Sequence, residues 1–250
     1  MAWSKSKWDA ARQKIYWLHS KMIQMAAKNG WDPSINHILA EAIEKARKDN
    51  VPSDNIARSI KIWTWENKAD AEITQIDYEG YWAWGVAFIV STLTDNKNRT
   101  ASNIRHIFSK YGWNMWEPGS VSFSFKRRGV IYINLEKYSY DQIEELVFET
   151  EVLDFIQEGN NVKILTEPTD LQKVKEFFNS KNIELDVCDL DYIPENFWEI
   201  TEFDKALKVI KMIDAFEEDE DVENVSHNLQ ISEDLRKEVL DFIEKNTFRT

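Results

Sequence analysis

Apolar residues recur at helical spacing over residues 9 to 62: Ile15, Leu18, Met22, Met25 and Ala26, then Ile38, Ala42, Ile43 and Ala46, then Ile56 and Ile60. Pro33 stands near the start of the second of these stretches, and Ser53 or Asp54 supplies an N-cap for the third. The pattern predicts a small helical bundle, and residues 1–70 are read as a helical domain.

From residue 72 the period changes. "EITQIDYEGY" and "GVAFIVSTLT" read as strands, "RTASNIRHIFSKYG" as an amphipathic helix with Ile104, Phe108 and Tyr111 on one face, and "SVSFSFK" as a half-buried strand. The stretches that follow, from "GVIYINLEK" to "IELDVCDLDYIP", spell strand, helix, strand, strand, helix, strand, which is the ferredoxin-like split βαβ plan. "FWEIT", "DKALKVIKMIDAF" and "VENVSHNLQI" then complete a second unit begun at 86–127. The predicted class is therefore α+β: an N-terminal helical bundle plus two ferredoxin-like domains, one inserted in the other. The boundaries expected are 71–128 with 195–231 for the discontinuous domain and 129–194 for the insert. A C-terminal helix, opened by Ser232, lies within 232–250.

Composition alters this picture mainly through charge. The 250-residue chain carries a net charge of -13, but unevenly. Residues 1–68 hold 12 basic and 7 acidic side chains, 95–128 hold 7 and 2, and 129–250 hold 12 and 31. The first half can thus present a basic surface beside an acidic body. No apolar run approaches the roughly 20 residues of a membrane span, and the N-terminus lacks the apolar stretch of a signal peptide. With a single cysteine, Cys188, the chain reads as a cytoplasmic protein with no membrane partner.

Catalytic patterns are weak. His19, His37, His106 and His227 fall on separate elements without metal-ligand spacing, and Cys188 sits among Asp186, Asp189 and Asp191, which would raise a thiol pKa. "EEDEDVE" at 217–223 lacks the EF-hand pattern and reads as a solvated helix-to-strand loop. No enzymatic activity, cofactor or metal is expected. What remains is binding. Lys97, Arg99, Arg105, Lys110, Lys126, Arg127 and Arg128 gather around one predicted strand-helix-strand unit, and Arg99-Thr100 adds helix N-terminal N–H groups suited to phosphate. A second set, Lys5, Lys7, Arg12, Lys14, Lys21 and Lys28, is opposed only by Asp9. Such sets neutralise phosphates whatever the base sequence. Asp95 reads as a turn or cap residue.

The segments "SKW", "NVPSDNIARSI", "DYEGY", "GVAFIVSTLTDNKNRTASNIRHIFSKYG" and "GSVSFSF" closely resemble the YebC-like family, over nearly the whole chain. Members of that family are described as probable transcriptional regulators and, in mitochondria, as translational activators of cytochrome c oxidase. The resemblance implies a helical domain plus two α+β domains. Its partner would be nucleic acid, either DNA or ribosomal RNA, or the ribosome itself. The stretch "DAARQKIYWLH" is shorter than the family's basic segment, so N-terminal contacts are expected to be reduced. No helix-turn-helix recognition helix is evident in the sequence, and an adaptor that contacts proteins through the acidic domain is a third reading.

The same resemblance bears on an odd composition: 11 Trp against 7 Gly, where glycine normally makes up about 7% of a protein. Trp3, Trp31, Trp63, Trp65, Trp82, Trp84, Trp113 and Trp116 stand where the family pattern looks like glycine, whereas Trp8 matches a family tryptophan. Tryptophan cannot supply the positive φ or close backbone approach for which turns use glycine. The coincidence predicts UGA codons read as glycine in the natural protein and as tryptophan here. With glycine restored, "GYWAWG" resembles a phosphate loop, but it joins two strands rather than a strand and a helix. Tryptophans native to these sites should strain or expose their turns.

Overall fold

The structure is a computed structural model that describes residues 5–65, 73–81 and 85–247. It divides into two compact units, one of Met1–Val121, Trp198–Val225 and Leu229–Thr250, the other of Ser122–Phe197 and Ser226–Asn228.

The first unit opens with α1 (Lys5–Ala27), α2 (His37–Lys48) and α3 (Ser53–Trp65). Ile23, Ala26, Leu39, Ile43, Ala46 and Ile56 form their shared core, whereas Ile15 and Ile38, expected on the apolar faces, are exposed. The second helix begins shortly after Pro33, where Asn36 makes the cap. Its Oδ1 accepts from the Leu39 N–H at 3.1 Å while its amide donates to Ala26 O and Gly30 O at the end of α1.

A four-stranded sheet follows, in the neighbour order β3-β1-β2-β9, built from β1 (Thr74–Tyr81), β2 (Ala87–Thr94), β3 (Asn114–Trp116) and β9 (Val222–His227). Helix α4 (Lys97–Lys110) joins β2 to β3. All eight residues of β2 are buried. Phe88 and Val90 pack with Ile104 and Phe108 of α4 and with Val209, Met212 and Phe216 of α7 (Phe203–Glu218). The other face of β2 meets α1. Coverage on both faces explains why "VAFIV" reads as a continuous apolar run instead of an alternating one. Two glycines are fixed by close approach: a Cβ at Gly80 in β1 would stand 2.3 Å from Phe108 Cε1, and one at Gly85, ahead of β2 and with φ at +101°, would stand 2.4 Å from the Trp198 ring.

The second unit holds β4 (Phe125–Asn134), α5 (Tyr140–Val147), β5 (Asp154–Glu158), β6 (Asn161–Thr166), α6 (Leu171–Ser180) and β7 (Val187–Pro194). Its sheet order is β5-β6-β4-β7 with every ladder antiparallel, which is the split βαβ arrangement. Ile131, Ile133, Val162 and Ile164 pack beneath Ile143, Val147, Val174 and Phe178 of the two helices, and Cys188 is a half-buried thiol packed against this core. One element differs from expectation. Ser122–Ser124 is a 3₁₀ turn, and Phe125 to Asn134 run as a single strand of this sheet, paired from Phe125↔Pro194 to Tyr132↔Val187. "SVSFSFK" is therefore no strand of the first sheet; β3 takes that place beside β1.

Short strands β8 (Trp198–Glu199) and β10 (Leu229–Gln230) pair in parallel. Helix α8 (Glu233–Thr247) starts after Ser232, whose Oγ accepts from the Leu235 N–H at 3.3 Å, and Phe242 meets Phe203 of α7 edge-on. The architecture is α+β: N-terminal helices followed by two four-stranded sheets. "FWEIT", expected to complete the first of these, lies outside it as β8, paired only with β10, and β1 stands beside β2 in its place. Among the described residues no helix is long and apolar enough to cross a membrane.

Candidate nucleic-acid interface

Helix α4 is capped by Asn96, whose Oδ1 accepts from the Arg99 N–H at 3.1 Å. Thr100, Ile104 and Phe108, spaced by four, are its buried stripe. Lys97, Arg105 and Lys110 are exposed, with Ser102, His106 and Ser109 among them, and no carboxylate occurs anywhere in the helix.

Beside the start of α4 lies a fully buried carboxylate. Asp221 accepts from Lys21 Nζ at 2.5 Å, Arg99 Nη2 at 2.9 Å and Thr100 Oγ1 at 2.7 Å. Lys21, itself buried, also donates to Leu93 O at 2.9 Å, and the Leu93 N–H donates to Asp221 O at 2.8 Å. One aspartate thus ties α1, the end of β2, the start of α4 and the α7–β9 turn together. Burial pushes its pKa up, but the hydrogen bonds from Lys21, Arg99 and Thr100 outweigh burial and hold it below the ordinary aspartate value. The Arg99 guanidinium is held further by Asp95 at 2.9 Å.

The same turn engages other bases of the N-terminal set. Lys14 Nζ donates to Glu217 O, and burial lowers its pKa against the opposing pull of Asp219 and Glu217. Asn103 of α4 donates to Asp219 at 3.3 Å. The 217–223 run is therefore no solvated loop throughout, because its fifth residue is the hub of a buried network. Nothing in the local spacing of "EEDEDVE" marks which of its carboxylates goes inward; the apolar Val222 following Asp221 was the available hint.

The basic residues expected to act together separate accordingly. Lys97, Arg105 and Lys110 face solvent from α4, and Arg12 does so from α1. Arg99 is 38% exposed but engaged with Asp221, Lys21 turns inward, and Lys14 is half-buried and engaged with Glu217 O. Lys28 donates to Ile73 O at 3.2 Å. The N–H groups of Arg99 and Thr100 are not offered to a ligand, since they bond Asn96 Oδ1 and Asn96 O. Lys126, Arg127 and Arg128 lie on β4 of the second unit, because the strand that carries them belongs to that sheet. There Lys126 pairs with Glu195 and Arg128 with Glu167, each at 2.5 Å, and Arg127 stands 6.0 Å from the Tyr192 ring. The side chains of Lys5 and Lys7 lie outside the described residues.

Two family models account for most of the chain: the N-terminal domain of TACO1/YebC proteins matches residues 2–64, and their second and third domains match 73–229. The chain belongs to the TACO1/YebC family. Among its relatives, a protein of Clostridioides difficile named "Probable transcriptional regulatory protein" is 40% identical over 91% of this chain and 95% of its own length. One of the same name from Halothermothrix orenii is 37% identical over 94% of each. A conserved hypothetical protein from Aquifex aeolicus, known from a crystal structure, superposes with a TM-score of 0.83 at 35% identity, covering 92% of this chain and 95% of that one.

Membership in the TACO1/YebC family sharpens the question of the tryptophans. Trp31 and Trp116 are exposed, as expected of tryptophan in a glycine turn. Trp113 is buried and meets Phe88 edge-on with ring centroids 4.8 Å apart, so the first core accommodates an indole there. The only non-glycine residues of positive φ among those described are Asn50 and Asn182, so neither Trp31, Trp113 nor Trp116 carries that strain. Trp3, Trp82 and Trp84 lie outside the described residues, as do the side chains of Trp63 and Trp65.

Proposed function

We propose that this TACO1/YebC protein is a nucleic-acid-binding regulator of gene expression, a DNA-binding transcriptional regulator of the cytoplasm that works without an enzymatic step. The observation that carries the reading is the solvent side of α4, where Lys97, Arg105 and Lys110 stand on a helix without a carboxylate while its inner residues are locked by Asp221. Fixed cations of this kind neutralise phosphates and release counterions, giving affinity that falls steeply with salt. The regulatory names of the relatives support the same class.

A second reading, a translation factor on ribosomal RNA, is favoured by the short neutral side chains between the cations. Ser102 and Ser109 reach little beyond the helix surface, which suits a grip on backbone shape more than on base edges. Fluorescence anisotropy with a labelled DNA duplex and a ribosomal RNA hairpin across a salt series tests both. The variant Lys97→Ala/Arg105→Ala/Lys110→Ala is expected to flatten the log–log salt slope by about 2–3, near 0.9 per lost phosphate contact on duplex. An unchanged slope removes α4 from the site, and salt-independent binding removes the phosphate mechanism. Tighter binding to one of the two probes decides between the readings.

A further inference from the structure

Strand β5 ends the second sheet, with β6 on its inner side from Asp154↔Leu165 to Glu158↔Asn161. An edge strand is a template for another chain unless something blunts it. Here the Phe155 N–H donates to Asp154 Oδ1 at 2.9 Å, a side-chain bond within the strand rather than one to β6. Apolar groups stand on both faces of this edge. Phe148, at the end of α5, is 76% exposed and its ring meets Phe155 edge-on at 6.0 Å. Ile156, the next residue and hence on the opposite face, is 45% exposed.

The surroundings are acidic. Glu145, Glu149, Glu151, Asp154 and Glu158 are all exposed, and of the described lysines Lys181 pairs with Glu149 at 2.9 Å and Lys163 with Glu158 at 3.6 Å. Lys173, which pairs with Asp170, also feels Glu151, and five carboxylates against these three lysines still leave a negative rim around an apolar edge. A strand added to β5 would see both faces at once, since its side chains alternate. The occupant that matches is an extended segment with apolar residues at alternate positions and positive charge between or beside them.

We propose that β5 with Phe148 docks a lysine- or arginine-rich extended segment of another protein, which adds to β5 as a strand. Main-chain hydrogen bonds supply affinity, and the Phe148–Phe155 pair and Ile156 receive alternate side chains. Asp154 releases the Phe155 N–H to the new ladder and turns to an incoming cation. The site lies in the second unit and does not rest on the α4 reading.

The test uses the full chain and a short fluorescent peptide of alternating Val and Lys, with a Val and Glu peptide as its charge-inverted counterpart. The Val-Lys peptide is expected to bind, to slow amide hydrogen exchange over 154–158, and to lose about tenfold in affinity in Phe148→Ser and in Ile156→Ser. Both substitutions are at exposed positions, and an unchanged circular dichroism spectrum checks the fold. Equal binding of the Val-Glu peptide, unchanged affinity in both variants, or protection that spares 154–158 would overturn the proposal. Saturating RNA is expected to leave the peptide bound; displacement by RNA, abolished in the α4 triple variant, would put the peptide on the nucleic-acid site instead.

Discussion

Removing the Asp221 carboxylate should open the first core. Lys21 Nζ divides its hydrogen bonds between Asp221 at 2.5 Å and Leu93 O at 2.9 Å, and its side chain is 1% exposed. Asp221→Ala leaves that ammonium buried on one carbonyl. Breaking a buried pair from one side costs about 3–5 kcal/mol, because the remaining charge stays uncompensated. Arg99 adds little to this, being partly exposed and still paired with Asp95, and Thr100 Oγ1 retains Thr94 Oγ1 at 2.7 Å. The cost should therefore track Lys21, and Lys21→Met with Asp221→Leu should recover most of it. Because the chain has two compact units, one global unfolding energy is ill-defined. Amide hydrogen exchange at Phe88–Val90, followed with increasing urea, reports the first core alone. A loss below about 1 kcal/mol, the worth of a surface pair, would show that Lys21 does not depend on Asp221, as would a double variant no more stable than Asp221→Ala.

Asp221 also predicts an acid limit: its folded pKa lies below the unfolded value, so its contribution is present above about pH 4 and is lost as pH falls through the folded pKa. Urea midpoints between neutral and acid pH should show this loss in the wild type and less of it in the Lys21→Met/Asp221→Leu variant. Gly80→Ala should destabilise the first unit by about 1–3 kcal/mol, since the new Cβ meets Phe108; an unchanged thermal midpoint would contradict that. Glu79, buried and accepting from the Gly119 and Val121 N–H groups at 2.7 and 2.6 Å, should cost about 1–3 kcal/mol as Glu79→Ala, read by the same exchange experiment. Tandem mass spectrometry of the natural peptide over 80–90 should find glycine at 82 and 84; tryptophan at both would end the UGA reading.

Much of the fold was legible because periodicity carries it. The split βαβ order of β4 to β7 and the helical spacing of Ala26, Ile43, Ala46 and Ile56 are local patterns that the structure keeps. The misassigned stretch was "SVSFSFK", where alternation predicts a strand but cannot say which sheet takes it; pairing of β4 with β7 decides that from residues far along the chain. The candidate site was legible only in part for a related reason. Charge counts marked α4 and α1 as basic, yet whether a base faces phosphate or a buried acid depends on long-range contacts. Lys21 and Asp221 are 200 residues apart in sequence, and no window contains both.

On this reading the protein holds nucleic acid in its cell through α4. Ultraviolet crosslinking in the native cells, with the wild type beside Lys97→Ala/Arg105→Ala/Lys110→Ala and recovery under separate DNase and RNase controls, tests it most directly. Crosslinked nucleic acid is expected from the wild type, with a marked loss in the variant, at discrete DNA sites for a transcriptional regulator or at one ribosomal RNA region for a translation factor. Recovery no greater than from unirradiated cells, or equal recovery from the variant, would contradict it.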